Sequence, residues 1–206
     1  MIVGLLKKVR SLLRTILILT PNKFKLENKK PSIIASNCNG GVIYHDLGLK
    51  FYSPTINLFL YPKDYLKFIS NLKYYLSLEL SPPKKQNKRW PIGFLGDVEI
   101  QFMHYKSFEE AKTKWEERSK RVNYDNLYFI WTDRDGVTYE QIKDFDNMPL
   151  KNKVIFTAKK YNEFSCVYQI KSFAQEKEVG ILSNFKRYSY KRYLDDFDYV
   201  KFLNNN

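Results

Sequence analysis

Small polar residues and two glycines form the first stretch that could bind a ligand. An apolar run leads into residues 36–41, SNCNGG, and a helix is expected to begin there. Glycines let a backbone approach a phosphate closely, and backbone N–H groups at a helix start favour an anion. The stretch matches neither common nucleotide-binding glycine motif, so a tight turn with Asn39 capping the helix fits equally well. The candidate phosphate ligands are Ser36, Asn37, Asn39, Gly40 and Gly41.

Two carboxylates form a second candidate site. Asp133 and Asp135 flank Arg134 directly after a long apolar run. At a strand end, such a pair can bind Mg²⁺ or Mn²⁺ and leave positions for a diphosphate, and many nucleotide-sugar glycosyltransferases use an Asp-x-Asp. Asp135-Gly136 is also a common turn dipeptide. The cofactor is therefore unknown, with a divalent metal at Asp133 and Asp135 as the candidate.

A histidine and two arginines mark a third region. His104 and Tyr105 precede a predicted helix, whose amino end favours an anion. Arg118 and Arg121 lie one turn apart on that helix, and paired arginines bind phosphate or carboxylate bidentately. His104 is the candidate general acid or base. The alternative is that both arginines pair with surface carboxylates.

Strand and helix patterns alternate from residue 31 onward and must position these candidates. Strands are predicted at 32–36, 55–60, 126–133, 152–158 and 167–173, with two more between 90 and 105. Helices are predicted at 62–76, 107–122, 138–145 and 193–204, two of them opened by capping boxes at Ser107 and Thr138. This alternation predicts a three-layer α/β/α fold with a mostly parallel or mixed sheet. In such folds, ligands bind beyond the carboxyl ends of the strands.

An amphipathic helix is predicted before this domain. Apolar residues recur at helical spacing in residues 1–20, and Lys7, Lys8, Arg10 and Arg14 fall on the opposite face. These four charges exclude a membrane-spanning helix. The pattern fits the surface of an anionic membrane and, equally, docking on its own domain or a partner subunit. Pro21 is expected to end the helix, so residues 1–30 are predicted as helix and linker, and residues 31–206 as a single α/β domain.

Charge distribution and cysteine content argue against a nucleic-acid-binding protein, a disulfide scaffold and a zinc site. The net charge of +13 is concentrated in residues 1–30, 84–89 and 186–192. Without a recognisable nucleic-acid motif, this peripheral charge argues against a nucleic acid as partner. Two distant cysteines argue against a disulfide scaffold or a zinc site and fit a cytoplasmic protein. Only two histidines are present, so no Ser-His-Asp set can be assembled, and Cys38 has no identifiable base.

Several blocks, taken in order, resemble a bacterial family of unknown function whose members are commonly named exopolysaccharide biosynthesis proteins. The blocks are SNCNGGVIYHDLGLKFYSPTINLFL, DYLKFISNLKYYL, PIGFLGDVEIQFMHYKSFEEAKTKWEERSKRVNYDNLYFI and LKNKVIFT, within residues 31–175. The resemblance implies a three-layer α/β fold and a role in capsule or exopolysaccharide synthesis. Residues that match the family pattern are Asn37, Gly40, Gly41, Ser53, Pro54, His104, Tyr105, Trp115, Arg118, Arg121, Asn123 and Asp125.

The residues and the resemblance together predict a transferase of surface polysaccharide synthesis, such as a glycosyltransferase. A phosphate-bearing donor of the nucleotide-sugar type would bind residues 36–41, with Tyr105, Arg118, Arg121 and Asn123 as further ligands. Asp125 or Asp133 would serve an acceptor hydroxyl on a glycan or a metal. Residues 1–20 would hold the protein at the inner face of the cell membrane. The alternative is a non-catalytic module that binds a partner or a glycan, and the oligomeric state stays open.

Overall fold

The computed structural model describes residues 2–85 and 88–205. Its strands are β1 (Ser32–Ala35), β2 (Ile92–Leu95), β3 (Val98–Gln101), β4 (Leu127–Thr132), β5 (Lys153–Thr157) and β6 (Val167–Gln169). Its α-helices are α1 (Ile2–Arg14), α2 (Thr20–Lys25), α3 (Asn39–Leu47), α4 (Pro62–Ser70), α5 (Leu72–Ser77), α6 (Phe108–Ser119), α7 (Tyr139–Asn147) and α8 (Tyr199–Asn204). A π-helical segment, Thr15–Leu19, joins α1 to α2.

A four-stranded parallel sheet in the order β1-β4-β5-β6 is the centre of the fold. Ile33 pairs with Tyr128, and Ile130 pairs with Val154. Strands β2 and β3 form a separate antiparallel hairpin. The predicted α/β class with a mostly parallel sheet is confirmed.

Apolar side chains cover both faces of the sheet, because successive residues of a strand point to opposite faces. Ile34, Phe129 and Trp131 pack in a first core with residues of α4–α7 and the hairpin. Ile33 and Ile130 pack in a second core with residues of α3 and α8. The sheet is therefore the middle of three layers, as the alternating pattern predicted.

The loop at residues 53–60 covers the edge strand β1. The prediction of a strand at 55–60 was wrong, since only an isolated bridge joins Phe59 to Gln101. Alternate burial of Ile56 and Leu58 imitates a strand, but Asn57 between them has a φ of 60°, which breaks an extended chain. The Ala35 N–H donates to Thr55 Oγ1 at 3.0 Å. This loop therefore provides a hydrogen-bond acceptor for the edge of β1, which no other strand of the described residues pairs.

Two predicted helices are interrupted in the structure. The helix expected over 62–76 divides at Asn71, where φ is −141°, into α4 and α5. The helix expected over 193–204 becomes a 3₁₀ turn, Tyr193–Asp196, followed by α8. Asp198 separates the two because its carboxylate accepts from the Lys201 N–H at 2.9 Å and so starts a new helix.

The amino-terminal helix is longer than predicted. Pro21 does not end it, because proline in the first turn of α2 needs no hydrogen-bonded N–H. The polar residues that follow are packed as well. Asn28 is buried, and its Nδ2 donates to Leu203 O at 2.8 Å and to the Tyr128 hydroxyl at 3.0 Å. The segment that connects the amino-terminal helix to β1 is therefore held against the α/β domain through Asn28.

Arg14 anchors this helix to the domain. The prediction placed Arg14 on the charged face of the helix, opposite the apolar one, and its side chain is buried between Asp46 and Asp195. Its Nη1 donates to Asp46 at 3.0 Å, and its Nε donates to Asp195 at 2.8 Å. Burial alone lowers the pKa of Arg14, but hydrogen bonds to the two carboxylates outweigh burial and raise it. Within residues 2–85 and 88–205, no helix is both long and apolar enough to cross a membrane.

Candidate functional site

A cavity of about 750 Å³ lies beside the turn that follows β1. It is bounded by α3, the loop at residues 51–57, the segment before α6 and the carboxyl-terminal tail, with Leu19 of the amino-terminal helix as one wall. Its position past the carboxyl end of a parallel strand is the usual place for a ligand in this fold class. The polar lining residues are Cys38, His45, Asp46, Asn57, His104, Ser183 and Arg192.

Both histidines of the chain line this cavity. His104 is the predicted acid or base and lies on the exposed segment between β3 and α6. His45 is in the last turn of α3, and its ring lies 6.2 Å from that of Phe51. His45 and His104 are 59 residues apart in the chain, so no local spacing could have brought them together in the sequence. Two imidazoles on one cavity can accept and supply protons.

Arg192 brings a cationic group to the same cavity. Its Nη1 lies 3.5 Å from Asp46 Oδ1, and Asp46 also accepts from Arg14. The buried Nε of Arg192 has no hydrogen-bond partner within the described part of the chain. A guanidinium in the lining of a cavity favours an anionic ligand. The sequence showed Arg192 only as one charge of a basic tail, so it was missed.

Arg118 and Arg121 support the cavity wall from behind. Arg118 Nη1 donates to the Tyr105 hydroxyl at 2.6 Å, and its guanidinium lies 5.2 Å from the centre of the Phe51 ring. Arg121 Nη1 donates to Phe51 O at 3.4 Å and pairs with Glu117. Phe51 itself lines the cavity. The alternative of carboxylate pairing is therefore confirmed for Arg121, whereas Arg118 binds a tyrosine.

Tyr105 connects Arg118 of α6 to the loop at residues 51–57. Its hydroxyl donates to Ile56 O at 2.9 Å, next to Asn57 of the cavity. Burial raises the pKa of Tyr105, although the charge of Arg118 and the hydrogen bond from it act in the opposite direction. The phenol therefore stays protonated and holds the 51–57 loop against α6.

The turn at residues 36–41 is held by its own side chains. Asn37 Oδ1 accepts from the Asn39 N–H at 3.1 Å, and Asn37 Nδ2 donates to Thr132 Oγ1 at 2.9 Å. Asn37, rather than the predicted Asn39, thus satisfies the start of α3 and also joins the ends of β1 and β4. Ser36 and Asn39 are buried. Of the five candidate phosphate ligands, Gly41 is the one that lines the cavity.

Cys38 lines the cavity but is a poor nucleophile. Burial raises the pKa of its thiol, and the nearby charge of Arg134 only partly opposes this shift. A thiol that stays protonated reacts slowly, since the thiolate is the nucleophile.

Asp133 accepts hydrogen bonds from two loops at the carboxyl end of the sheet. Its Oδ2 accepts from the Ala158 N–H at 2.7 Å, and its Oδ1 accepts from the Val179 N–H at 2.8 Å. Burial raises its pKa, while these two hydrogen bonds lower it. Asp135 occupies a turn with a φ of 65°. Among residues 2–85 and 88–205, no group of three or more His, Cys, Asp or Glu is placed to hold a metal ion.

Asn123 and Asp125 lie at the opposite end of the sheet. The Asn123 N–H donates to Ser32 Oγ at 2.8 Å, and Asn123 Oδ1 accepts from the Asp125 N–H at 3.2 Å. Ser32 is the first residue of β1, whereas the cavity lies past the last one. The structure therefore does not bring Asn123 or Asp125 together with His104.

Comparison with known proteins gives a family match over nearly the whole chain. Residues 9–204 match the family described as "Domain of unknown function (DUF1919)". An "Uncharacterized protein" of Haemophilus influenzae (strain ATCC 51907 / DSM 11121 / KW20 / Rd) is 45% identical over 181 residues, which cover 88% of this chain and 87% of that protein. The family match extends beyond residues 31–175 and spans positions 14 and 192. The chain therefore belongs to the DUF1919 family of domains of unknown function.

Proposed function

We propose that the protein is a transferase of surface exopolysaccharide or capsule synthesis, and that its cavity binds a phosphate-bearing donor of the nucleotide-sugar type. The observation that carries this proposal is the meeting of Arg192, His45 and His104 on one cavity of about 750 Å³. That volume is in the range of small-molecule sites. The polysaccharide context comes from the family resemblance of the sequence blocks.

The charge of the cavity suits a phosphate. Asp46 is the carboxylate of its lining, and it is neutralised by Arg14 and Arg192. Arg192 lines the cavity, and the planar fork of N–H donors of its guanidinium suits a phosphate. Gly41 lines the cavity in the first turn of α3, where backbone N–H groups favour an anion.

The reaction would be a displacement at the donor sugar. An acceptor hydroxyl oxygen would form a bond to the anomeric carbon, and the bond from that carbon to the diphosphate oxygen would break. The diphosphate would leave with the electron pair, while His104 would take the proton of the acceptor hydroxyl as general base. His45, on the same cavity, would be placed to protonate the leaving group. The chain would work in the cytoplasm, with peripheral attachment to the inner face of the cell membrane.

A binding experiment tests the donor site. Purified protein would be titrated with nucleotide sugars and nucleoside diphosphates, with and without Mn²⁺, and the shift in melting temperature measured. We expect one donor to raise the melting temperature, and Arg192→Lys to weaken its binding about tenfold, because lysine lacks the planar fork of donors.

The matched control is Arg187→Lys, the same exchange at an exposed arginine that stacks on Tyr188, away from the cavity lining. It should leave donor binding unchanged. Equal losses in both variants would contradict the assignment of the cavity. A screen in which folded protein binds no donor would favour the non-catalytic module instead.

A further inference from the structure

The amino-terminal helix exposes its apolar side. Leu12 and Ile16 are 61% and 56% exposed, although leucine and isoleucine are usually buried in a folded protein. We call this exposed set, which lies on α1 and on the π-helical segment that continues it, the α1 apolar face. It consists of Leu6, Val9, Leu12, Leu13, Ile16 and Leu17.

Arg14 determines the outward direction of this face. Its guanidinium is held by Asp46 and Asp195, on the side of the helix opposite Val9 and Ile16. Rotating the helix to bury the apolar side would remove Arg14 from two buried carboxylates, which is costly. The exposure of the α1 apolar face is therefore built into the fold.

The charges beside the face indicate what covers it. Residues 2–25 contain six basic residues and no acidic residue. On a helix with about 3.6 residues per turn, Lys8 lies one turn from Leu12, and Arg10 lies one turn from Leu13. Cations on both flanks of an apolar stripe can extend toward lipid headgroups while the stripe enters the acyl region.

A second copy of the chain fits this surface less well. Pairing two such helices through their apolar faces would bring Lys8 and Arg10 of one copy near the same cations of the other, without an acidic residue of the helix to offset them. An anionic bilayer supplies opposite charge along the whole helix, and each Lys or Arg near it adds attraction.

We propose that the α1 apolar face lies in the interface of an anionic membrane, with the helix parallel to the surface and the α/β domain held against it by Arg14. This inference deepens the membrane attachment in the proposed function and rests on that part alone. Its test needs no donor, so either proposal can fail while the other stands.

Vesicle binding tests the surface. Full-length protein would be sedimented with vesicles of phosphatidylcholine and phosphatidylglycerol at roughly three to one, and with phosphatidylcholine alone, at low and physiological salt. We expect binding to the anionic vesicles that weakens with salt, and weaker binding to neutral ones. Leu12→Glu combined with Ile16→Glu should reduce anionic-vesicle binding by at least about tenfold.

The matched control places the same two charges on the other side of the helix. Ser11→Glu combined with Thr15→Glu alters two exposed polar residues and should keep most of the binding. Circular dichroism must show both variants folded. Equal loss in the two variants, or no binding by the wild-type protein at low salt, would overturn the proposal. So would a dimer in sedimentation equilibrium that only the Leu12/Ile16 variant dissociates, since the face would then join two copies.

Discussion

Gly40 and Gly41 are adjacent in α3 but have different surroundings. A Cβ on Gly40 would lie 2.9 Å from Ala35 Cβ and 3.3 Å from Ile33 Cγ2. A Cβ on Gly41 would meet Ile56 Cγ2 at 3.5 Å, an ordinary contact. Glycine at 40 therefore lets α3 pack closely on β1, whereas glycine at 41 borders the cavity.

Alanine substitutions separate these two roles. Gly40→Ala should lower the free energy of unfolding by about 1–3 kcal/mol, because the strand atoms it meets cannot move away easily. Gly41→Ala, its matched control, should be neutral or raise stability by up to about 1 kcal/mol through helix propensity. Urea unfolding of both variants measures the difference, and equal effects would contradict the packing explanation.

Asp133 shows that a short motif admits two interpretations at the residue scale. An Asp-x-Asp at a strand end is compatible with metal binding, but both Asp133 oxygens accept backbone N–H groups. Loops at 158 and 179 supply those donors, and no local spacing could have identified them. The groups that donate hydrogen bonds to the Asp133 carboxylate come from segments far away in the sequence.

At the scale of elements, the amino-terminal helix depends on one buried charge. Arg14 is the partner of Asp46 in α3 and of Asp195 in the 3₁₀ turn before α8. These ion pairs connect three segments that are far apart in sequence. Because a buried carboxylate without a partner is costly, the whole arrangement depends on this arginine.

Replacing Arg14 should therefore destabilise the protein strongly. We expect Arg14→Ala to lower the free energy of unfolding by about 3–5 kcal/mol, since it removes the ion pair of Asp195 and leaves Asp46 with the longer Arg192 contact alone. Chemical denaturation followed by circular dichroism would measure the change.

The control for Arg14 is Lys8→Ala, which removes an exposed cation of the same helix. Its effect should stay within about 0.5 kcal/mol. If Arg14→Ala were as mild as Lys8→Ala, the ion pairs would not hold the helix to the domain.

At the scale of the whole molecule, two cores share one sheet. Trp115 and Trp131 are buried in the first core, while Leu203 of α8 is buried in the second. Strand β4 contributes Trp131 to one core and Ile130 to the other. Loss of either core should therefore disrupt the other, and a single unfolding transition is expected.

A substitution in one core, observed from the other, tests this coupling. Leu203→Ala should cost about 2–5 kcal/mol and should shift the tryptophan fluorescence transition as much as the far-UV circular dichroism transition. The wild-type protein supplies the reference, in which the two midpoints should coincide. A fluorescence midpoint that stays in place while the circular dichroism midpoint moves would show that the cores unfold separately.

Local chemistry allowed much of the fold to be predicted from the sequence. Thr138 and Gln141 form the expected capping box, and the buried strand at β4 follows from its unbroken apolar run. The alternation of such elements determines an α/β class, because each needs another layer to bury its apolar face. The strand prediction at 55–60 failed because alternate burial of side chains in this loop has the same period of two as a β-strand.

The amino acid sequence by itself determined most of the helices and strands, the three-layer class and the choice of His104 as a candidate. Tertiary structure alone decided that His45 and Arg192 join His104 on one cavity, that Asn123 and Asp125 lie at the far end of the sheet, and that Arg14 turns the apolar side of α1 outward. The physical reason is the separation in sequence over which each interaction acts. Capping and periodicity act within a few residues, whereas hydrogen bonds and ion pairs of buried groups connect segments as distant as Arg14 and Asp195.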